Sequence, residues 1–328
     1  MRRLIFLLVV IAFAAASYAV LVPTGPHTET FVEVVPGTRT MEIASELKRE
    51  GLIRSKDAFA AMRLLKGGTL KAGEYRFDHP VRMAEVYDRL QRGDVYTRSV
   101  TIPEGANLFD IAQRLEAAQL GPRERFLASA RTEVGLISDL DPGAMSLEGY
   151  LFPDTYQFGR NATPEQMLTA MVKRFRQVAA ETGLRANYRH VVTVASLIER
   201  ETPIASERPL VASVFENRLA KQMPLMTDPS VIYAALLEGR YRGTIYASDL
   251  QAESPYNTYR HDGLPPGPIC NPGMASLKAA MNPAHTDYLY FVAASANPSG
   301  QSRFSATLEE HSQDVQAYRK ALRKAGIQ

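Results

Sequence analysis

The chain has 328 residues, enough for about two domains, and 45% apolar and 22% charged residues, an ordinary globular balance. That composition excludes a mainly disordered, collagen-like or multi-span membrane chain. The formal charge of +3 is small and no basic stripe accompanies it, which argues against a nucleic-acid partner. The single Cys270 cannot form an intramolecular disulfide or build a cysteine-based zinc site.

Arg2 and Arg3 precede an uncharged run from Leu4 to Val22. As a helix this run is roughly 28 Å long, close to the hydrocarbon thickness of a bilayer. It predicts a transmembrane anchor over 1–22 with a cytoplasmic N-terminus and the body of the chain translocated. The rival is a cleaved signal peptide ending at Ala19, but a signal's apolar core is usually about 7–15 residues. Residues 23–30 read as a linker rich in turn formers.

An internal echo follows. Ile43, Ala44, Leu47 and Leu52 recur, 68 positions later, as Ile111, Ala112, Leu115 and Leu120. Each set is preceded by a β-rich run, Phe31–Val35 or Ser99–Ile102, and a turn at Gly37 or Gly105. Both copies therefore read as small β-α units, and together they make a region 31–120. Between them, 71–77 reads as a turn into a strand, and Met83–Leu90 as a short amphipathic helix.

A second region, 121–328, is mainly helical. Pro164–Thr182 reads as a helix with Thr163 as N-cap and Pro164 at the first helical position. Arg189–Thr202 reads as a buried helix and Ser206–Lys221 as another, capped by Ser206. Residues 253–273, rich in Gly, Pro, Asn and Tyr, read as a long ordered loop. Asp287–Ala293 and Arg303–Ser305 form a hairpin with its turn at Asn297–Gly300. Thr307–Lys324 closes the chain as an amphipathic helix.

The helix from Val191 carries the chemistry. At 100° per residue, Glu199 falls at about 80° and Glu201 at about 280°, both inside the apolar arc, while Thr193 and Arg200 take the polar side. A carboxylate on an apolar face is desolvated, so it holds its proton toward neutral pH, as a general acid for glycosidic cleavage must. The same pattern fits a buried glutamate paired with Arg208 or Arg218, and periodicity does not choose between Glu199 and Glu201. No His pair has metal-ligand spacing, and no nucleophile elbow or phosphate-binding glycine pattern occurs, so neither metal nor cofactor is expected. Cys270 reads as a small packing residue rather than a nucleophile. Rings and polar groups cluster at 148–156 and 256–259, as sugar sites require and as ordered loops also show.

The segments 195–202, 205–208, 211–219, 227–233, 256–259, 263–269 and 271–273, taken in order, resemble the YceG-like family of membrane-anchored endolytic murein transglycosylases. The resemblance runs through nearly the whole chain. It implies an α+β fold: a transmembrane helix, a LysM-like β-α module, then a lysozyme-like catalytic domain with a small hairpin. It implies non-hydrolytic cleavage of the β-1,4 bond after N-acetylmuramic acid in peptidoglycan strands. One Glu protonates the leaving oxygen and then takes the proton of the muramyl 6-hydroxyl, which closes a 1,6-anhydro ring.

Lysozyme-like transglycosylases end the catalytic helix with Glu and a small hydroxyl residue. Glu201–Thr202 fits that pattern, with Glu199 as the alternative. Glu148, Asn217, Asp228, Tyr256 and Asn257 match recurrent family positions and are expected in the substrate groove. The family often carries tryptophans before its Pro-Asp-Thr, whereas this chain has no Trp, so sugar stacking should be weaker or differently placed. The resemblance further implies residence at the plasma membrane with an extracytoplasmic catalytic domain, beside peptidoglycan synthases. Two rivals stand: a non-catalytic glycan-binding scaffold, which gains nothing from a desolvated glutamate, and a hydrolytic muramidase.

Overall fold

In a computed structural model of the chain, the described residues are 2–26, 28–297 and 300–326, without the side chains at 9, 12, 15 and 16. Two compact units form: Met1–Arg98 with Gln157–Asn161, and Ser99–Tyr156 with Ala162–Gln328. The division falls at Arg98, where the sequence reading placed it at 120–121.

The first unit contains α1 (Arg2–Leu21), β1 (Thr30–Val34), α2 (Thr40–Arg49), α3 (Lys56–Lys66), β2 (Gly73–Phe77) and α4 (Met83–Arg92). β1 and β2 pair antiparallel with Val32 opposite Tyr75. Alternation sends Val32, Val34, Tyr75 and Phe77 to one face. There they pack with Ile43 and Leu47 of α2, Phe59 and Met62 of α3, and Val86, Tyr87 and Leu90 of α4. Ser55 caps α3 by accepting from the Ala58 amide at 3.2 Å.

The transmembrane part of the expected fold is corrected. α1 forms, but among the described residues no helix is long and apolar enough to cross a membrane. The helix opens on two arginines and carries Ser17 and Tyr18 toward its end. Positions 9, 12, 15 and 16 of the expected span lie outside the described side chains. The expected mixture of helix and strand is observed, with three two-stranded sheets among the described residues.

The second unit begins in β3 (Arg98–Thr101), α5 (Leu108–Ala117), α6 (Arg123–Thr132), a 3-10 turn at Glu133–Ile137 and β4 (Thr155–Phe158), which pairs with β3. The echo thus extends beyond β-α to β-α-α-β in both copies. It holds in detail: Glu50 and Ala118 end α2 and α5 with the same φ −78 and ψ 4. The next residue is left-handed in each, Gly51 at φ 73 and Gln119 at φ 56. Leu52 and Leu120 then return amides to Leu47 and Leu115 at 2.8 and 2.9 Å. Their apolar positions are buried in both copies.

The remainder is α7 (Pro164–Thr182), α8 (Tyr188–Glu201), α9 (Arg208–Ala220), α10 (Asp228–Leu237), α11 (Ala247–Leu250), α12 (Met274–Met281), β5 (Tyr290–Ala293), β6 (Ser302–Ser305) and α13 (Leu308–Lys324). α7 has the expected ends, with Thr163 and Gln166 forming a capping box. α8 is the central helix and packs against α9, α10 and α12. It is buried on every side from Val191 through Ile198, which corrects the expected polar side: Thr193 is 1% exposed. Its two ends open, at Arg189 and His190 in the first turn and at Arg200 in the last. Ser206 does not cap α9; Glu207 occupies the N-cap position.

The loop 253–273 is held by side-chain amides. Asn257 donates to the carbonyls of Asp249, Leu250 and Ala252, and Asn271 donates to that of Ala106. β5 and β6 pair with Phe291 opposite Phe304; part of their expected turn, 298–299, lies outside the described residues. Thr307 caps α13, which packs on both strands.

Candidate active site

The last turn of α8 sends its two glutamates into different surroundings, because residues two apart on a helix point about 200° from each other. Glu199 turns inward, its side chain 5% exposed. It meets Arg208 at 3.0 Å and accepts from the Gly273 amide at 2.9 Å. Both oxygens are therefore occupied by groups of the fold. Arg208 is itself 9% exposed, so this is a buried ion pair.

Glu201 faces a cavity of about 390 Å³ that it lines with Arg218 of α9, Asp228 at the start of α10, Tyr259, Tyr290 of β5 and His311 of α13. Burial pushes its carboxyl up to about 7, with the Asp228 charge adding to the rise; the Thr227 hydroxyl and the Arg218 guanidinium pull the other way. Thr202 ends α8, its hydroxyl donating to Glu207 at 3.2 Å and accepting from the Ile204 amide at 3.1 Å. Glu207 also takes the Ser302 amide at 2.6 Å, which ties the end of α8 to β6.

The rest of the cavity is equally fixed. Arg218 donates to the carbonyls of Leu289 at 2.7 Å and Leu225 at 2.8 Å. It lies 5.3 Å from the centre of the Tyr290 ring. Tyr259 donates its phenol to Asp228 at 2.6 Å, and burial and that carboxylate push the phenol's pKa upward. Met226, half-exposed at the rim, adopts a left-handed φ of 52 just before Thr227 and Asp228.

The other expected groove residues are distributed elsewhere. Only Asp228 shares the cavity with Glu201. Glu148 is buried beneath α5, accepting from the Leu108 amide and from Asn271, each at 2.9 Å. Burial pushes its carboxyl up to about 8. Tyr256 packs edge-on against Tyr233 with ring centres 5.1 Å apart. With Glu148, Asp141 and Arg189 it lines a space of about 20 Å³. Asn217 donates to the carbonyls of Thr286 at 2.7 Å and Tyr288 at 3.0 Å, bracing the approach to β5. Asn257 pins its loop as described, and its carbonyl oxygen accepts from the Tyr259 amide at 3.1 Å. Cys270 is buried against the Ser196 carbonyl, and burial pushes its thiol up, so it has no thiolate character. Among the described residues no group of His, Cys, Asp and Glu is arranged to hold a metal ion.

Sequence reading named Arg218 only as a possible ion-pair partner of a buried glutamate and did not mark Tyr259, Tyr290 or His311 as site residues. Tyr259 had a local signal, three positions after Tyr256 in the same ring-rich segment. The others come together only through tertiary packing.

Comparison with known proteins follows the same outline. The YceG-like family model matches residues 32–317. An endolytic murein transglycosylase of Bacillus subtilis (strain 168) is 35% identical over 312 residues, covering 89% of this chain and 85% of that protein. An endolytic murein transglycosylase of Streptococcus pneumoniae serotype 2 is 31% identical over 335 residues. That alignment covers 90% of this chain and 60% of the longer relative. A crystal structure of a YceG-like protein from Listeria monocytogenes superposes with a TM-score of 0.57 at 33% identity, covering 87% of this chain and 98% of that one.

Proposed function

The chain belongs to the YceG-like family, and from that premise we propose that it is an endolytic murein transglycosylase acting on peptidoglycan strands, with Glu201 as its acid and base. The observation that carries this reading is a carboxyl that stays protonated near neutral pH and lines a cavity large enough for a sugar. Glu201 gives its proton to the oxygen of the β-1,4 bond between N-acetylmuramic acid and N-acetylglucosamine, and that bond breaks. The anomeric carbon becomes cationic, and the Asp228 carboxylate stabilises it electrostatically. Glu201, now a carboxylate, takes the proton of the muramyl 6-hydroxyl, whose oxygen closes the 1,6-anhydro ring.

The nucleophile belongs to the substrate, so no second carboxylate is needed at a fixed separation. Glu199, committed to Arg208 and the Gly273 amide, holds the helix end in place. Because the strands lie outside the cytoplasm, the reading places the catalytic unit on that side, within reach of the synthases that make them.

The test is mass spectrometry of the products from uncrosslinked glycan strands. Internal fragments with anhydro ends are expected from the native protein and none from Glu201→Gln. Reducing ends would make it a hydrolase. Loss in Glu199→Gln with retention in Glu201→Gln would move the acid. Strands bound but left intact by the folded native protein would support a scaffold.

A further inference from the structure

The reaction above uses groups that both sugars of the strand possess. Each has a 6-hydroxyl, an acetamido group and β-1,4 bonds. Closing the anhydro ring on muramic acid, and not on its neighbour, requires the cavity to read what muramic acid alone carries, its lactyl ether. The lactyl acyl group presents an oxygen that accepts hydrogen bonds, whether it is a free carboxylate or joined to a peptide. Its reader must therefore be a donor.

Arg218 of α9 supplies one. Its Nε donates to the Leu289 carbonyl at 2.7 Å, and its Nη1 to those of Leu225 at 2.8 Å and Pro224 at 3.4 Å. The guanidinium also lies 5.3 Å from the centre of the Tyr290 ring. These contacts fix the fork and leave both N–H groups of Nη2 without a partner among the described residues. Unlike the unpartnered Nε of Arg208, Nη2 is not sealed from solvent. Arg208 has Glu199 beside it, whereas Arg218 makes no ion pair among the described residues. Burial lowers the pKa of its guanidinium, so the charge is kept in place at a cost. A fixed cation with a spare, reachable nitrogen in a substrate cavity is placed to receive an oxygen of the ligand.

The other charged groups of the cavity leave that role to it. Arg218 is the one permanent cation among the described lining residues. Asp228 is held by the Tyr259 phenol at 2.6 Å, and Glu201 keeps its proton near neutral pH. In a peptide-bearing strand the lactyl acyl group is an amide and neutral, so the Asp228 carboxylate does not repel it. We propose that Arg218 selects muramic acid for the bond to be cut, its Nη2 donating to the acyl oxygen of the lactyl group. This rests on the reading of the Glu201 cavity as the substrate site and deepens it.

The test measures binding of two ligands in the Glu201→Gln background, where nothing is cut. One is uncrosslinked, peptide-bearing glycan strands; the other is oligomers of N-acetylglucosamine of equal length, which lack lactyl groups. We expect the strands to bind at least about tenfold more tightly, as a hydrogen bond from a charged donor allows. Arg218→Gln should reduce that preference to about threefold or less while binding the oligomers as before. Arg218→Lys keeps the charge but not the position of Nη2, so its preference should be intermediate; it serves as the readout if the glutamine variant does not fold. An undiminished preference in whichever variant folds overturns the proposal. So does equal weakening of both ligands, the mark of a merely structural residue, and so does failure of Glu201→Gln to bind the strands. Anhydro products from the native protein together with an undiminished preference would sink the role of Arg218 alone. An Arg218-dependent preference without products would sink the transglycosylase reading alone.

Discussion

Two glutamates in this molecule have carboxyls raised well above the ordinary range, Glu148 to about 8 and Glu201 to about 7, and desolvation is the main cause for both. Their settings differ. Glu148 has oxygens bound to the Leu108 amide and Asn271, beside a space of about 20 Å³. That is room for a single water at most. Glu201 faces about 390 Å³ lined by a cation, a second carboxylate, a phenol and an imidazole. A raised pKa supplies a proton, but only access lets a substrate receive it. Glu148 is a structural acid that fixes the start of α5; Glu201 is placed to react.

The sharpest way to break this contrast is to neutralise each carboxyl. Glu201→Gln should lower turnover by about 10²–10⁴-fold, the usual share of a general acid, read from the rate of anhydro-end formation. Its effect on stability has the opposite sign. The folded state holds the Glu201 proton up to about pH 7, whereas the unfolded chain releases it near the ordinary carboxyl value of 4.5. Wild-type stability therefore falls as pH rises between those values, and the glutamine variant escapes that loss, by up to about 3 kcal/mol at pH 8. Urea unfolding at pH 5 and pH 8 checks the sign.

Arg208→Ala probes the other face of α8. It strands the buried Glu199 carboxylate and should destabilise the protein by about 3–5 kcal/mol, measurable as a lower urea midpoint. Glu148→Gln replaces one accepting oxygen with an NH2, so the Leu108 amide or Asn271 meets a donor where it had an acceptor. It should lose about 1–3 kcal/mol of stability and keep most of its turnover at a temperature where it is folded. Asp228→Asn removes the charge that stabilises the anomeric cation and should lower turnover, while its shift of the pH profile is the smallest effect expected. Removing that charge lowers the Glu201 pKa, and the alkaline limb of the kcat/KM profile should move down by less than about one pH unit, since burial remains the larger cause.

How far the sequence could be read follows the same division between local and distant causes. α7 announced its start through Thr163 and Pro164, and its expected bounds hold. The apolar arc of α8 singled out Glu199 and Glu201 before any contact was known. The arc could not say that Thr193 and Ser196 would also be buried, because a helix enclosed on all sides need not show a polar face. α12 escaped notice for a related reason: it is only eight residues long and mostly buried, so no amphipathic period marks it. Ser206 looked like a cap, but the chain reserves Glu207 for that place and binds it to Ser302 of β6, far along the sequence. Arg218, Tyr290 and His311 belong to a helix, a strand and another helix, and only folding brings them to Glu201.

The most direct test of the central claim is the pH dependence of kcat/KM in Glu148→Gln beside the native protein. Both buried acids titrate within about one unit of each other, so the native profile alone could borrow its alkaline limb from either. The account predicts the same limb near pH 7 in both proteins, because Glu201 alone meets the substrate. A limb that disappears or moves when Glu148 is neutralised would contradict it.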